Sequence, residues 1–189
     1  MRPNKRDELV RKALDVFYAK GFHATGMDTL VKETGVSKTS MYKHFRTKEE
    51  LIAAVLDLRD EEFRSWLFTR MTELAETPRG QLLAMFTALA EWFEQPQFAG
   101  CMFVKASAEF QDHAHPLYRQ STKHKQLILD HLAELANHAG AADPQKLARQ
   151  LLTLKEGATA LAAMSATPSP ATDALATAQL LVQTQLPES

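Results

Sequence analysis

The sequence predicts an all-α protein of about nine helices, and three observations predict it. Apolar residues recur at three- and four-residue intervals along nearly the whole chain. No stretch keeps the period-two alternation of Val, Ile and Tyr that a half-buried strand needs. The punctuation is helical too: Ser, Thr or Asp before a periodic segment, often proline next, and glycine after several of them. At 189 residues the chain can hold a core without cross-links, and its single cysteine, Cys101, excludes an intrachain disulfide. A composition of 45% hydrophobic and 24% charged residues is that of a globular protein, not a disordered one.

The first helix covers about residues 5–20 on the stripe Leu9, Ala13, Leu14 and Phe17, and Gly21 follows as its terminator. Thr25, with Asp28 three positions on, reads as a capping box for a short helix at about 26–34 that Gly35 closes. Ser37 caps a third at about 38–45. Thr47 and Glu50 form another capping box and open a long helix to about Ala75. The short helices can share one small core of Leu14, Phe17, Met27, Leu30, Val36, Met41, Phe45, Leu51 and Ile52. Thr77-Pro78 starts a fifth helix to about Gln95, and Pro96 to Gly100 breaks the chain. Helices follow at about 101–110, from His115-Pro116 to near Gly140, from Asp143-Pro144 to about Ser165, and at about 171–186. The domain boundary expected here is 1–48 against 49–189, joined through the long helix with no flexible linker.

Charge divides along the same line. Residues 1–48 hold eleven Lys/Arg and five Asp/Glu, whereas 49–189 hold eleven and eighteen. A head of +6 on a body of −7 hides inside a net charge of −1, and a basic head suits a polyanion. The two short helices meeting at Gly35-Val36-Ser37 form a helix-turn-helix pattern. In that geometry the second helix enters the major groove, its N-terminal residues Lys38, Thr39 and Ser40 facing base edges. Tyr42, Lys43 and His44 stay on or beside the outer face, within reach of phosphates. Thr25 and Lys48 stand at helix N-termini, where backbone N–H groups and the dipole favour an anion.

The run Gly21-Phe22-His23-Ala24-Thr25, followed by Thr34 through Phe45 (with Tyr42-Lys43-His44-Phe45) and Lys48-Glu49-Glu50-Leu51, closely resembles the DNA-binding region of TetR-family transcriptional regulators. That resemblance implies an N-terminal three-helix DNA-binding domain joined through the long helix to a helical ligand-binding and dimerisation domain. It further implies a homodimeric repressor that leaves a palindromic double-stranded operator when a small effector binds. By matched position, Thr25, Tyr42, Lys43, His44 and Lys48 should hold phosphates, and Lys38, Thr39 and Ser40 should lie near bases. Thr39 and Gly26 depart from the usual family residues, glycine and Ser or Thr respectively.

Large rings concentrate between residues 63 and 110. Trp66, Phe86, Phe103, Phe110 and Tyr118 are the candidates to line a largely apolar effector cavity. Leu147, Leu151, Leu154, Ala158 and Leu161 form one helical stripe, and Leu175, Ala178, Val182 and Leu186 another. With the resemblance, these stripes are expected to build a four-helix dimer interface.

His113, His115, His124, His131 and His138 motivate a competing reading, a helical-bundle metal-dependent enzyme. The seven-residue spacing of the last three is not the usual three or four of helix-borne zinc ligands, so no metal and no cofactor is expected. Cys101, at a helix N-terminus near Lys105 or Lys155, is a candidate redox- or electrophile-sensing thiol. There is no P-loop, dinucleotide glycine pattern or nucleophile elbow. Met1-Arg2-Pro3-Asn4-Lys5-Arg6 is unlike an apolar leader, and no apolar run approaches the ~20 residues of a membrane span. A cytoplasmic regulator without membrane contact is expected.

Overall fold

The computed structural model describes residues 4–187; the Met1-Arg2-Pro3 start of the segment judged unlike a leader lies outside them. Among the described residues there are α-helices and no strands. In chain order they are α1 (Lys5–Lys20), α2 (Met27–Thr34), α3 (Lys38–His44), α4 (Lys48–Leu74), α5 (Pro78–Phe93), α6 (Met102–Glu109), α7 (Pro116–His138), α8 (Pro144–Ala163) and α9 (Pro170–Gln185). Most caps work as their residue types dictate. Ser37, Thr77 and Asp143 each accept the backbone N–H three residues on. Thr47 does the same for Glu50, while the Glu50 carboxylate takes the Arg46 N–H in place of that of Thr47.

One expected cap is wrong. Gly26, not Thr25, is the N-cap of α2, and no side chain caps that end. Thr25 is fully buried, and its hydroxyl donates to the Gly21 carbonyl at 2.6 Å. The hydroxyl stabilises the turn behind it instead of the helix ahead of it. Gly35 does take the left-handed conformation, at φ +70° and ψ 9°. Gly21 has φ +82° but ψ 169°, a turn only glycine adopts without strain.

The fold divides into two compact units that interleave along the chain. Among the described residues, one gathers those up to Phe63 with Met102–His124; the other gathers Arg64–Cys101 with those from Lys125 onward. The boundary at 48/49 does not match this division, because α4 and α7 are each continuous through both units and α6 belongs with the first. In the first unit Leu14, Phe17, Leu30, Met41, Phe45, Leu51 and Ile52 are buried as expected, with Met27 and Val36 half-buried. Phe17 and Phe22 add an aromatic pair 5.5 Å apart at its centre.

In the second unit α5, α8 and α9 pack on one another. Leu82, Met85, Phe86 and Leu89 of α5 are buried with a core to which α8 contributes leucines and alanines and α9 mainly alanines with Val182. Here the expected dimer stripe needs correction. Leu147, Leu151, Ala158, Ala178 and Val182 are all buried inside the single chain. Leu154 and Leu175 are half-buried, and of the set only Leu161 is exposed. A regular apolar stripe marks whichever face is buried, and on these helices that face points at the protomer's own core.

Candidate nucleic-acid interface

α3 is a short helix anchored by its apolar side. Met41 and Phe45 are buried, so residues between and before them turn outward. Lys38, Thr39, Tyr42, Lys43 and His44 are exposed, and Ser40 is half-buried with its N–H on the Ser37 hydroxyl. Six of the eight side chains expected at DNA therefore belong to this one short helix, five of them exposed. Lys38 is not free within it: its ammonium lies 3.2 Å from Asp28 at the start of α2. Arg6 adds a cation at the edge, its guanidinium 4.9 Å from the centroid of the Phe45 ring.

Thr25 and Lys48 are placed otherwise. Buried and bonded to Gly21, Thr25 offers no hydroxyl to a phosphate in this conformation. The Lys48 ammonium donates to the carbonyls of Phe22 at 3.0 Å and Thr25 at 3.3 Å. Both residues organise the α1–α2 connection from within. The sequence also gave no hint of Lys105 and Glu109, which reach that connection from α6: Lys105 donates to the Tyr18 carbonyl, and Glu109 accepts the Phe22 and His23 amides. Opposite charges four apart on a helix were visible, but partners some eighty residues upstream were not.

The rings proposed for an effector cavity are mostly engaged with neighbours in their own unit. Phe103 stacks on His124 at 3.7 Å, Phe110 on His115 at 4.9 Å, and Tyr118 on His113 at 4.5 Å. Phe86 is buried and Trp66 half-buried. None of the five lines the groove of about 540 Å³ between α1 and α4, or the smaller clefts beside Pro168 and Asn137.

The histidines are dispersed in the same way. His124 is buried with Nδ1 2.6 Å from Asp60, His131 stacks on Phe68, and His138 is exposed at the end of α7. No group of three His, Cys, Asp or Glu residues able to hold a metal forms among the described residues.

Cys101 is half-buried, and its sulfur accepts a hydrogen bond from Lys125 at 3.2 Å; of the two cations expected near it, Lys155 is close enough to interact with its charge, whereas Lys105 is bonded to the Tyr18 carbonyl. Lys125 also pairs with Glu156 at 2.7 Å, and Glu156 with the fully buried Lys155 at 2.9 Å. Burial alone would raise the Glu156 carboxyl, but the two ammonium groups outweigh it and hold the pKa at about 2. Burial, with Lys125 adding to it, pushes Lys155 down.

Known proteins share both the sequence pattern and this arrangement. The family model for bacterial regulatory proteins, tetR family, matches residues 9–55, and that for the tetracyclin repressor-like C-terminal domain matches residues 78–178. The solved structure of SCO4454, a TetR-family transcriptional regulator from Streptomyces coelicolor, superposes with a TM-score of 0.86 at 31% identity, covering 95% of each chain. A putative tetR transcriptional regulator from Streptomyces avermitilis gives 0.85 at 31% identity, over 97% of this chain and 98% of that one. The HTH-type transcriptional regulator YjdC of Escherichia coli is 22% identical over 153 residues, 81% of this chain and 80% of its own.

Proposed function

The chain belongs to the TetR family of bacterial transcriptional regulators, and from that premise we propose that it is a homodimeric, cytoplasmic repressor released from a palindromic operator by a small, largely apolar effector. As a member of that family it is a DNA-binding regulator and not an enzyme. Among the described residues no helix is long and apolar enough to cross a membrane. One observation carries the reading: the solvent-facing polar side chains of α3, Lys38, Thr39, Tyr42, Lys43 and His44, on a helix fixed from behind by Met41 and Phe45. Lys38 and Thr39 stand where a docked recognition helix meets base edges, and Tyr42, Lys43 and His44 where it meets phosphates.

Support for the dimer comes from the outward faces of α8 and α9. Leu161 is 41% exposed, Met164 74% and Leu180 63%, among small or polar exposed neighbours Thr153, Gly157, Ala160 and Ala176. Thr153, Gly157 and Ala160 lie opposite the buried face of α8, with Leu161 at its edge and Met164 just past the helix end, and Ala176 and Leu180 lie opposite that of α9; small residues let two such helices approach closely. Two heads held in this way would read half-sites about 34–36 Å apart. An effector acts by binding one arrangement of the heads better than the other.

The experiment is selection of duplexes from a randomised library by the purified chain, followed by footprinting of the enriched sequence. A palindrome protected at two half-sites one helical turn apart is expected. Enrichment of no duplex at low ionic strength would overturn the reading.

A further inference from the structure

Helix α6 holds the connection between α1 and α2 by both of its backbone polarities. Lys105 donates its ammonium to the Tyr18 carbonyl at 3.0 Å and lies 5.1 Å from the centroid of the Tyr18 ring. Glu109 is four residues on and so on the same helix face. One of its carboxylate oxygens accepts the Phe22 amide at 2.9 Å and the other accepts the His23 amide, with His23 Nδ1 at 3.2 Å. The cation meets a carbonyl in the last turn of α1, the negative end of that helix, and the anion meets two successive N–H groups. Phe110, buried next in the chain, sets its ring 6.1 Å from Phe22 and 4.8 Å from His23. Gly21 keeps the place clear, since a Cβ there would stand 3.1 Å from Glu109 Oε1.

Lys48, at the start of α4, takes the carbonyls of the same connection. Residues 21–25 are therefore held by the end of α6 through their N–H groups and by the start of α4 through their carbonyls. They lead directly into α2, and α2 carries α3.

We propose that Lys105 and Glu109 are positioning residues for DNA recognition: their grip on the α1–α2 connection sets the seat of the α2–α3 pair, so that the recognition helix meets the groove only while α6 holds it. This rests on the DNA-binding reading above. Neither residue need touch DNA. An amide at position 109 offers one acceptor to two N–H groups and turns a donor toward one of them. The small core of Leu30, Met41 and Phe45 is untouched by that change, so α2 and α3 stay folded while their seat loosens.

The test uses the full-length chain, a duplex enriched by it from a randomised library, and an unrelated duplex of equal length. In Glu109→Gln the Phe22 and His23 amides should lose hydrogen-exchange protection by at least about tenfold. Affinity for the enriched duplex should fall about tenfold, with affinity for the unrelated duplex unchanged and the thermal midpoint within a few degrees of the parent. Lys105→Met should act in the same direction, and Lys105→Arg, which keeps a donor, should recover most of the selectivity. A purely structural role would instead lower the thermal midpoint and weaken both duplexes together, and Lys105→Met against Lys105→Arg still decides the matter if Glu109→Gln does not fold. Undiminished selectivity in Glu109→Gln, with protection lost at both amides, overturns the proposal alone. A parent chain that enriches no duplex overturns the DNA-binding reading and takes this proposal with it.

Discussion

Lys38 enters α3 with its ammonium already 3.2 Å from Asp28, so DNA has to displace a partner to reach it. Both side chains are exposed, and such a pair is worth ~0–1 kcal/mol. A good base contact is worth about 1–3 kcal/mol, so the base wins. Lys38→Ala should lower affinity for the preferred duplex by about that amount and relax the preference at one base pair, measured by competition binding. Lys43→Ala should weaken every duplex alike and reduce the slope of log affinity against log salt by about 1. Lys48 belongs to a different class because it bonds two backbone carbonyls. Lys48→Met should cost about 1–3 kcal/mol of stability in urea before any effect on DNA is counted. Glu156 yields a pH prediction. Its folded pKa, about 2, lies below the ordinary 4.5. The carboxylate therefore contributes stability above the ordinary value and loses it as pH falls through the folded one. Urea midpoints should decline between pH 4.5 and about 2, and Glu156→Gln should flatten that decline while starting from a lower plateau, since it leaves Lys155 buried without its carboxylate.

At the scale of elements, the helices were legible because most carry their own start signal within four residues. Thr77-Pro78, Asp143-Pro144 and Ser37 begin helices where local chemistry alone places them. Thr25 misled because its choice between capping α2 and bonding back to Gly21 depends on how the α1–α2 connection is held, and Lys48 and Glu109, which hold it, come from elsewhere in the chain. The α8 and α9 stripes misled for a related reason: periodicity reports a buried face without saying what covers it. The membership of α6 in the first unit was not legible at all, since Lys105 and Glu109 act on residues more than eighty positions away. Gly100, just ahead of α6, makes a prediction at this scale. Its φ is +84°, and a Cβ there would stand 2.9 Å from the Ala163 Cβ at the end of α8. Gly100→Ala should therefore destabilise the chain by ~1–3 kcal/mol, read as a lower thermal midpoint. Gly157→Ala, which meets nothing within 4 Å, should be neutral or mildly stabilising in the protomer.

For the whole molecule the charge asymmetry and the outward faces of α8 and α9 bear on the same question, how two copies of one basic head could act together. A single basic head with a handful of polar side chains on α3 makes few contacts, and salt screens its field within ~8–10 Å. Coupling two heads makes the second binding event intramolecular and can raise affinity ~10²–10⁴-fold without any new contact type. In the dimer proposed above, the exposed Leu161, Met164 and Leu180 would be the surface for that coupling. Leu180→Glu tests it with little cost to the protomer, since the side chain is 63% exposed there and its loss leaves no cavity. In a symmetric interface the new carboxylates of two copies would be buried near each other without partners, which strongly opposes association. Sedimentation should then show a monomer at micromolar concentration with unchanged helix content. Affinity for a full palindrome should collapse toward that for one half-site, while the isolated half-site is bound as before. A Leu180→Glu chain that still sediments as a dimer and still binds the palindrome fully would place the coupling surface elsewhere.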